Sequence, residues 1–201
     1  MTTAFVTGSS RGIGKAIAVH LAGAGFDVAL AARTVADGEQ REHSSTVRAS
    51  DTTALPGSLA ATAALVEGMG RRALVVPADL TDRSSVLAAA HTVLERWGPI
   101  DVLVNNGRYI GPGHMDPFVD TPLELLDLHL EANVMAPLVL AKSFLPGMLE
   151  RGSGIIVNIS SGAGTADPPS PEKPPRPLPA TVLIVPSGAT IRMRLLPESA
   201  I

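Results

Sequence analysis

With 201 residues, 45% of them hydrophobic, the chain is long enough for one domain with a sizeable core. Its net charge of −3, with 13 Arg and three Lys scattered rather than striped along one face, leaves nucleic-acid binding without support, and the absence of cysteine excludes disulfides and thiolate metal sites. One Trp, one Tyr and four Phe leave the core to aliphatic residues, which suits buried parallel strands joined by glycine-rich turns.

In chain order, Phe5-Val6 leads as a strand into Thr7-Gly8, and Ile13, Ile17, Leu21 and Ala24 then repeat at helical spacing until Gly25. Val28 to Ala32 is a short apolar run suited to a buried second strand, ending at Arg33. Residues 34–57 are polar and without period, a long surface loop, until Pro56-Gly57-Ser58 offers a helix start with Ser58 as N-cap. A helix over Leu59 to Met69, a strand over Ala73 to Val76, a helix over Arg83 to Trp97 and a strand over Val102 to Val104 follow. A long helix from about Pro122 to Leu149 and a fifth strand over Ile155 to Ile159 complete the pattern. Such alternation predicts right-handed βαβ units in a parallel sheet. After Ala166 the composition changes, with seven prolines between Pro168 and Pro179, where regular structure is expected to stop. The expected division is a unit of alternating strands and helices over residues 1–165, which the motifs below make dinucleotide-binding, and a Pro-rich irregular tail over 166–201, with one extra strand at 180–185.

The turn Thr7-Gly8-Ser9-Ser10-Arg11-Gly12-Ile13-Gly14 carries the first chemistry. Glycines at 8, 12 and 14 let the backbone turn sharply and approach a pyrophosphate, and the helix that follows presents unpaired N–H groups to an anion. The same glycines would also serve a tight turn with no ligand. No carboxylate stands near the end of the second strand to bind a ribose 2′-OH; Arg33 stands there instead, with Arg11 inside the turn, which predicts NADP rather than NAD. Histidines 20, 43, 91, 114 and 129 fall at unrelated spacings and give no metal site.

The spacing T-G-x-x-x-G-I-G resembles the signature of the short-chain dehydrogenase/reductase family, and further similarities follow in that family's order. Asp79-Leu80-Thr81 resembles the family's adenine-side Asp, and Asn105-Asn106-Gly107 resembles its N-N-A-G, with Gly107 where Ala is usual and Arg108 where Gly is usual. Asn133 matches the Asn of the long helix, and Ile155 to Ser161 resembles the strand that ends in the catalytic serine. Each also has a plainer reading as a cap, turn or buried amide. The resemblance implies an α/β fold with a Rossmann-type doubly wound parallel sheet, incomplete at its C-terminal side. It implies cofactor contacts at Gly8, Ser10, Arg11, Gly12, Ile13, Gly14, Arg33, Asp79, Leu80, Asn105 and Gly107, and catalytic roles for Ser161 and Asn133 on an alcohol or carbonyl.

The resemblance also implies a Tyr with a Lys four residues on, yet Pro174 and Leu178 stand in the corresponding places, and Tyr109, the single tyrosine, is followed by Gly113 at that spacing. Ser187-Gly188-Ala189-Thr190-Ile191 echoes the motif with both chemical residues replaced. Two functions are therefore expected: an impaired NADP-dependent oxidoreductase, or a non-catalytic, truncated dinucleotide binder. Without the second helix of the family's usual interface, homo-oligomerisation is expected to be impaired, exposing Leu126, Leu130, Val134, Leu138 and Leu145. Met1 to Val6 has neither the basic start nor the apolar stretch of a signal peptide, and no apolar run spans a membrane, so a cytoplasmic protein without membrane or nucleic-acid partners is expected.

Overall fold

The computed structural model describes residues 2–160, together with the backbone of 181–185 and 192–195. Five parallel strands form the centre: β1 (Thr3–Thr7), β2 (Asp27–Ala32), β3 (Ala73–Pro77), β4 (Val102–Asn105) and β5 (Gly154–Asn158). Two more, β6 (Thr181–Val185) and β7 (Arg192–Leu195), extend the sheet to the order β3-β2-β1-β4-β5-β6-β7. The pairings within β1 to β5 are parallel, as the alternating pattern predicts, whereas β6 runs antiparallel to β5, with Gly154 opposite Val185, and β7 antiparallel to β6.

Strands buried on both faces need apolar cover on both, and the helices supply it. Helices α1 (Gly12–Gly23) and α2 (Leu59–Gly68) set Ala18, Ala22, Leu59 and Val66 against Ala4, Val6, Val28 and Leu30. On the opposite face, α3 (Arg83–Trp97) and α5 (Ala136–Arg151) set Val86, Val93, Leu140, Phe144 and Met148 against Phe5, Ala29, Leu103 and Ile156. Side chains of adjacent strand residues point to opposite faces, so Val6 and Phe5 enter different cores. Helix α2 starts where the sequence places a cap: the Ala61 N–H donates to Ser58 Oγ at 3.0 Å. Helix α3 is capped by Asp82, whose Oδ1 accepts from the N–H groups of Ser84 and Ser85 at 2.8 and 3.3 Å.

The long helix is interrupted. Helix α4 (Leu123–Leu130) passes into a π-helical turn over Glu131–Met135 before α5 begins, and the Ala136 N–H reaches back five residues to the Glu131 carbonyl. Glu131 takes a bidentate ion pair from Arg83 at the start of α3, at 2.9 and 2.6 Å. By length and apolarity alone the stretch Leu123–Arg151 could cross a membrane; in the fold its Ala136, Leu140, Phe144 and Met148 are buried. Of the five apolar residues expected on its outer face, Leu130, Val134 and Leu138 are exposed, Leu126 is half-buried and Leu145 packs partly against the core.

At the start of β2, Asp27 is buried with its carboxylate between Arg71 and Arg72, each 2.9 Å away. Burial alone would raise its pKa; the Arg72 N–H and the two guanidiniums outweigh it and hold the carboxyl below the usual range. A depressed folded-state pKa stabilises above the unfolded value and stops doing so as pH falls through the folded one. Asp27→Asn is therefore expected to cost about 1–3 kcal/mol at neutral pH, and almost nothing at a pH acid enough to protonate Asp27 in the wild type. Urea denaturation at both pH values checks this, and an equal loss at both would show that packing rather than charge is at stake.

Candidate functional site

The carboxyl ends of β1, β2, β3 and β4 lie on one edge of the sheet, and because β1 leads to β2 on one side while β4 flanks it on the other, the chain reverses direction there. Such a switch point opens a crevice. Its floor is the turn after β1. Gly8 adopts φ +67°, and a Cβ on it would lie 2.8 Å from Asn106 Nδ2 and from Gly107 Cα. A Cβ on Gly14 would lie 2.3 Å from the Gly8 carbonyl oxygen, so strand, turn and helix approach as closely as only glycine allows. At Gly12, by contrast, a Cβ would meet nothing within 4 Å. That glycine keeps open space beside the backbone.

The turn is fastened to the loop after β4 by Thr7. Its hydroxyl accepts from the N–H groups of Asn106 and Gly107 at 3.0 and 2.8 Å and donates to the Val104 carbonyl at 3.3 Å. Asn106 Nδ2 donates to the Thr7 carbonyl at 3.0 Å. Sequence reasoning named Asn105 and Gly107 here and passed over Thr7 and Asn106, which hold the turn; the signal was the hydroxyl one position before Gly8. Asn105 Nδ2 donates to Asn158 Oδ1 at 2.8 Å, and its own Oδ1 is buried with no hydrogen-bond partner among the described residues. A buried acceptor left open in this way invites a ligand donor.

Helix α1 has no side-chain cap and no acidic residue in its first turn, unlike α2 and α3, which carry side-chain caps. Its N-terminal N–H groups therefore face the crevice without a protein anion to satisfy them. Ser10 is buried in the turn, and Ile13 stands 59% exposed, giving the crevice an apolar lip. Arg11 reaches toward the end of β2: its Nη2 donates to Thr34 Oγ1, the Leu55 carbonyl and the Gly57 carbonyl at 3.3, 3.3 and 2.9 Å, while its buried Nε has no partner among the described residues. Burial, and then the positive charge of Arg33, pull the Arg11 pKa down. Arg33 is thus near enough for its charge to be felt at Arg11, a repulsion that a bound anion would relieve.

Asp79 stands past the end of β3. Its Oδ1 accepts from the Thr81 N–H and hydroxyl at 3.0 and 2.7 Å, and its own N–H donates to Ser85 Oγ at 3.0 Å. Leu80 lies against Gly107, where an added Cβ would come within 2.7 Å of Leu80 Cδ1. Asn133 sits in the π turn, and its Oδ1 accepts the Tyr109 N–H at 3.0 Å. The Tyr109 ring meets His129 edge to face at 4.8 Å, and burial raises the phenol pKa, with Arg33 lowering it and Glu42 and Asp79 raising it further. Ser161 lies outside the described residues.

These residues fit a dinucleotide: Gly12 leaves room for a diphosphate beside uncapped N–H groups. Comparison with known proteins agrees. The family model for short chain dehydrogenases matches residues 2–60 and 45–171. Hydroxysteroid dehydrogenase-like protein 2 of Danio rerio is 34% identical over 158 residues, covering 79% of this chain and 34% of that protein. Among solved structures, L-sorbose reductase of Gluconobacter frateurii, complexed with NADPH and L-sorbose, superimposes with a TM-score of 0.63 at 32% identity, over 80% of this chain and 52% of that one. A metagenomic short-chain oxidoreductase in complex with NADP gives a TM-score of 0.66 at 32% identity, over 83% and 65%. The chain thus spans about a third of the length of the curated relative it matches and 52–65% of these solved chains.

Proposed function

Because the chain belongs to the short-chain dehydrogenase/reductase family, we propose that it binds NADP(H) in preference to NAD(H) in the crevice above β1, as the cofactor of an oxidoreductase for an alcohol or carbonyl substrate. The observation that carries this reading is the pairing of an uncapped α1 N-terminus, open at Gly12, with the Arg11 and Arg33 guanidiniums beside it. The α1 N–H groups would hold the diphosphate. Arg33, with Arg11 behind it, would take the 2′-phosphate, which NAD lacks. Asp79 and the open Asn105 Oδ1 would serve the adenosine and ribose donors. When bound, NADP(H) supplies or accepts the hydride. Asn133 and Ser161 are the chain's own polar groups for the substrate oxygen.

A second reading has its own observation. No Tyr-x-x-x-Lys occurs in the 201 residues, and the ring of the single tyrosine packs on His129. On that reading the chain binds the dinucleotide without transferring hydride.

Titration of cofactor fluorescence separates NADPH from NADH. Wild-type protein is expected to bind NADPH about tenfold or more tightly than NADH, and Arg33→Ala to remove most of that difference while leaving NADH affinity unchanged, as loss of one charge-assisted contact implies. Equal affinities for the two nucleotides, unaltered by Arg33→Ala, would refute the 2′-phosphate role.

A further inference from the structure

The segment joining β2 to α2 does not lie beside the domain. It leaves the sheet at Arg33 above β2 and bonds with the segment 113–120 that follows β4, so it passes from one side of β1 to the other. Four contacts make the junction: the Met115 N–H donates to the Ser45 carbonyl at 2.8 Å, the Thr46 hydroxyl donates to Asp116 Oδ1 at 2.7 Å, the Val47 N–H donates to Asp116 Oδ2 at 2.8 Å, and the exposed Arg48 pairs with Asp120 at 3.9 Å. The Gly113 N–H donates to the same Oδ2 at 3.1 Å, which fixes the carboxylate to its own loop. The returning limb lies against the glycine turn, where Arg11 holds the carbonyls of Leu55 and Gly57.

Within itself the segment is braced by carboxylates. Glu39 accepts from the N–H groups of Val35 and Ala36 and from Arg41, which also donates to the Arg33 carbonyl. Glu42 accepts from the N–H groups of Ser44 and Asp51 and from the Ser50 hydroxyl. Of residues 35–57, all of them described, only Ser44 is buried. The segment therefore has internal shape but almost no apolar anchorage, and its hold on the far side of the crevice is polar and near the surface. A unit of that kind opens at a small fraction of the cost of global unfolding.

From this topology we propose that residues 35–57 are a strap across the dinucleotide crevice, latched on Asp116, which unlatches to admit the nucleotide and closes again over it. The strap rests on the dinucleotide reading above. Its role is kinetic: the latch slows both entry and departure, while the residues that contact the nucleotide lie beneath it. Asp116 and Thr46 are positioning residues, since they hold backbone to backbone.

The absence of cysteine from the chain permits a clean test. The double variant Thr46→Cys with Asp116→Cys puts one thiol in place of the hydroxyl and the other one bond short of the carboxylate oxygen it meets at 2.7 Å, so the sulfurs face each other across the latch and can be joined by oxidation. Stopped-flow fluorescence with NADPH is run on wild type and on the reduced and oxidised variant. Reduced, the variant has lost the charged latch and is expected to take up and release NADPH about tenfold faster than wild type. Oxidised, its strap is tied shut, and uptake is expected to fall at least about tenfold below that of the reduced form, with dithiothreitol restoring it. Equal rates in the oxidised and reduced forms, with NADPH bound by both, would overturn the strap while leaving the dinucleotide reading in place. Failure of wild type and reduced variant alike to bind NADPH would overturn that reading and the strap with it. Hydrogen exchange at Val47, faster in the reduced variant than in wild type without nucleotide, checks independently that the latch itself was broken.

Discussion

Mixed with NADPH and a panel of ketones, aldehydes and quinones, the protein is expected to oxidise the nucleotide very slowly or not at all, even where it binds it well. A positioned general acid contributes roughly 10² to 10⁴ in rate, and the chain has no tyrosine with a lysine at helical spacing to act as one. Tyr109 is a poor substitute on three counts. Burial raises its pKa, away from the range of an effective acid; its charged neighbours are Arg33, Glu42 and Asp79 rather than a lysine; and its backbone N–H already occupies Asn133 Oδ1. An aliphatic hydroxyl such as that of Ser161 is too weak an acid near neutral pH to carry the step alone. Absorbance at the nicotinamide band follows the reaction, with Tyr109→Phe and Ser161→Ala as controls. Turnover at ordinary enzyme rates, abolished by Tyr109→Phe, would make Tyr109 the acid and reverse the conclusion.

The second large effect is expected at two glycines of the same turn, with opposite characters. Gly14→Ala drives a methyl to 2.3 Å from the Gly8 carbonyl oxygen and 2.5 Å from Asn106 Nδ2, where backbone and a bonded amide have little room to yield. It is expected to destabilise the fold by about 1–3 kcal/mol or more, and to abolish NADPH binding because turn and helix separate. Gly12→Ala meets no atom within 4 Å. Its stability cost is limited to the positive φ, about 1–2 kcal/mol, yet its methyl enters the space assigned to the diphosphate, so NADPH affinity is expected to fall at least about tenfold. Urea melts and fluorescence titrations of both variants check the split. Normal NADPH affinity in Gly12→Ala would show that the diphosphate does not lie there.

Much of this architecture was legible because it is written in local patterns. Apolar runs at Val28 to Ala32 and Val102 to Val104 mark strands that need cover on both faces, and Ser58 marks its helix start by the bond it makes. What escaped is what local pattern does not encode. The direction of β6 cannot be read from an apolar run, since the same residues pair either way, and β7 follows only once β6 is in place. The loop at residues 34–57 was legible as a loop, but its anchoring was not: Thr46 and Asp116 lie 70 residues apart, joined by a hydroxyl and a carboxylate that leave no periodic trace. Arg11 is instructive in another way. The sequence pointed its guanidinium at a phosphate, whereas the folded chain also gives it the carbonyls of Leu55 and Gly57, acceptors that only the returning loop could bring.

The π turn at Glu131–Met135 acts on the long helix as a change of phase. Each residue of an α-helix advances by about 100°, so one extra residue in a turn sets the stretch before it out of step with the stretch after it by that angle. The burial records the offset: Ala136, Leu140, Phe144 and Met148 form one inward stripe, while no residue of Leu123–Leu130 is buried. Helix α4 thus presents no buried face, and at this end of the helix His129 meets Tyr109 and Asn133 Oδ1 accepts the Tyr109 N–H. Deleting a single residue from this turn would bring the two stretches back into step and turn the residues of α4, His129 among them, by about 100° relative to the buried stripe of α5.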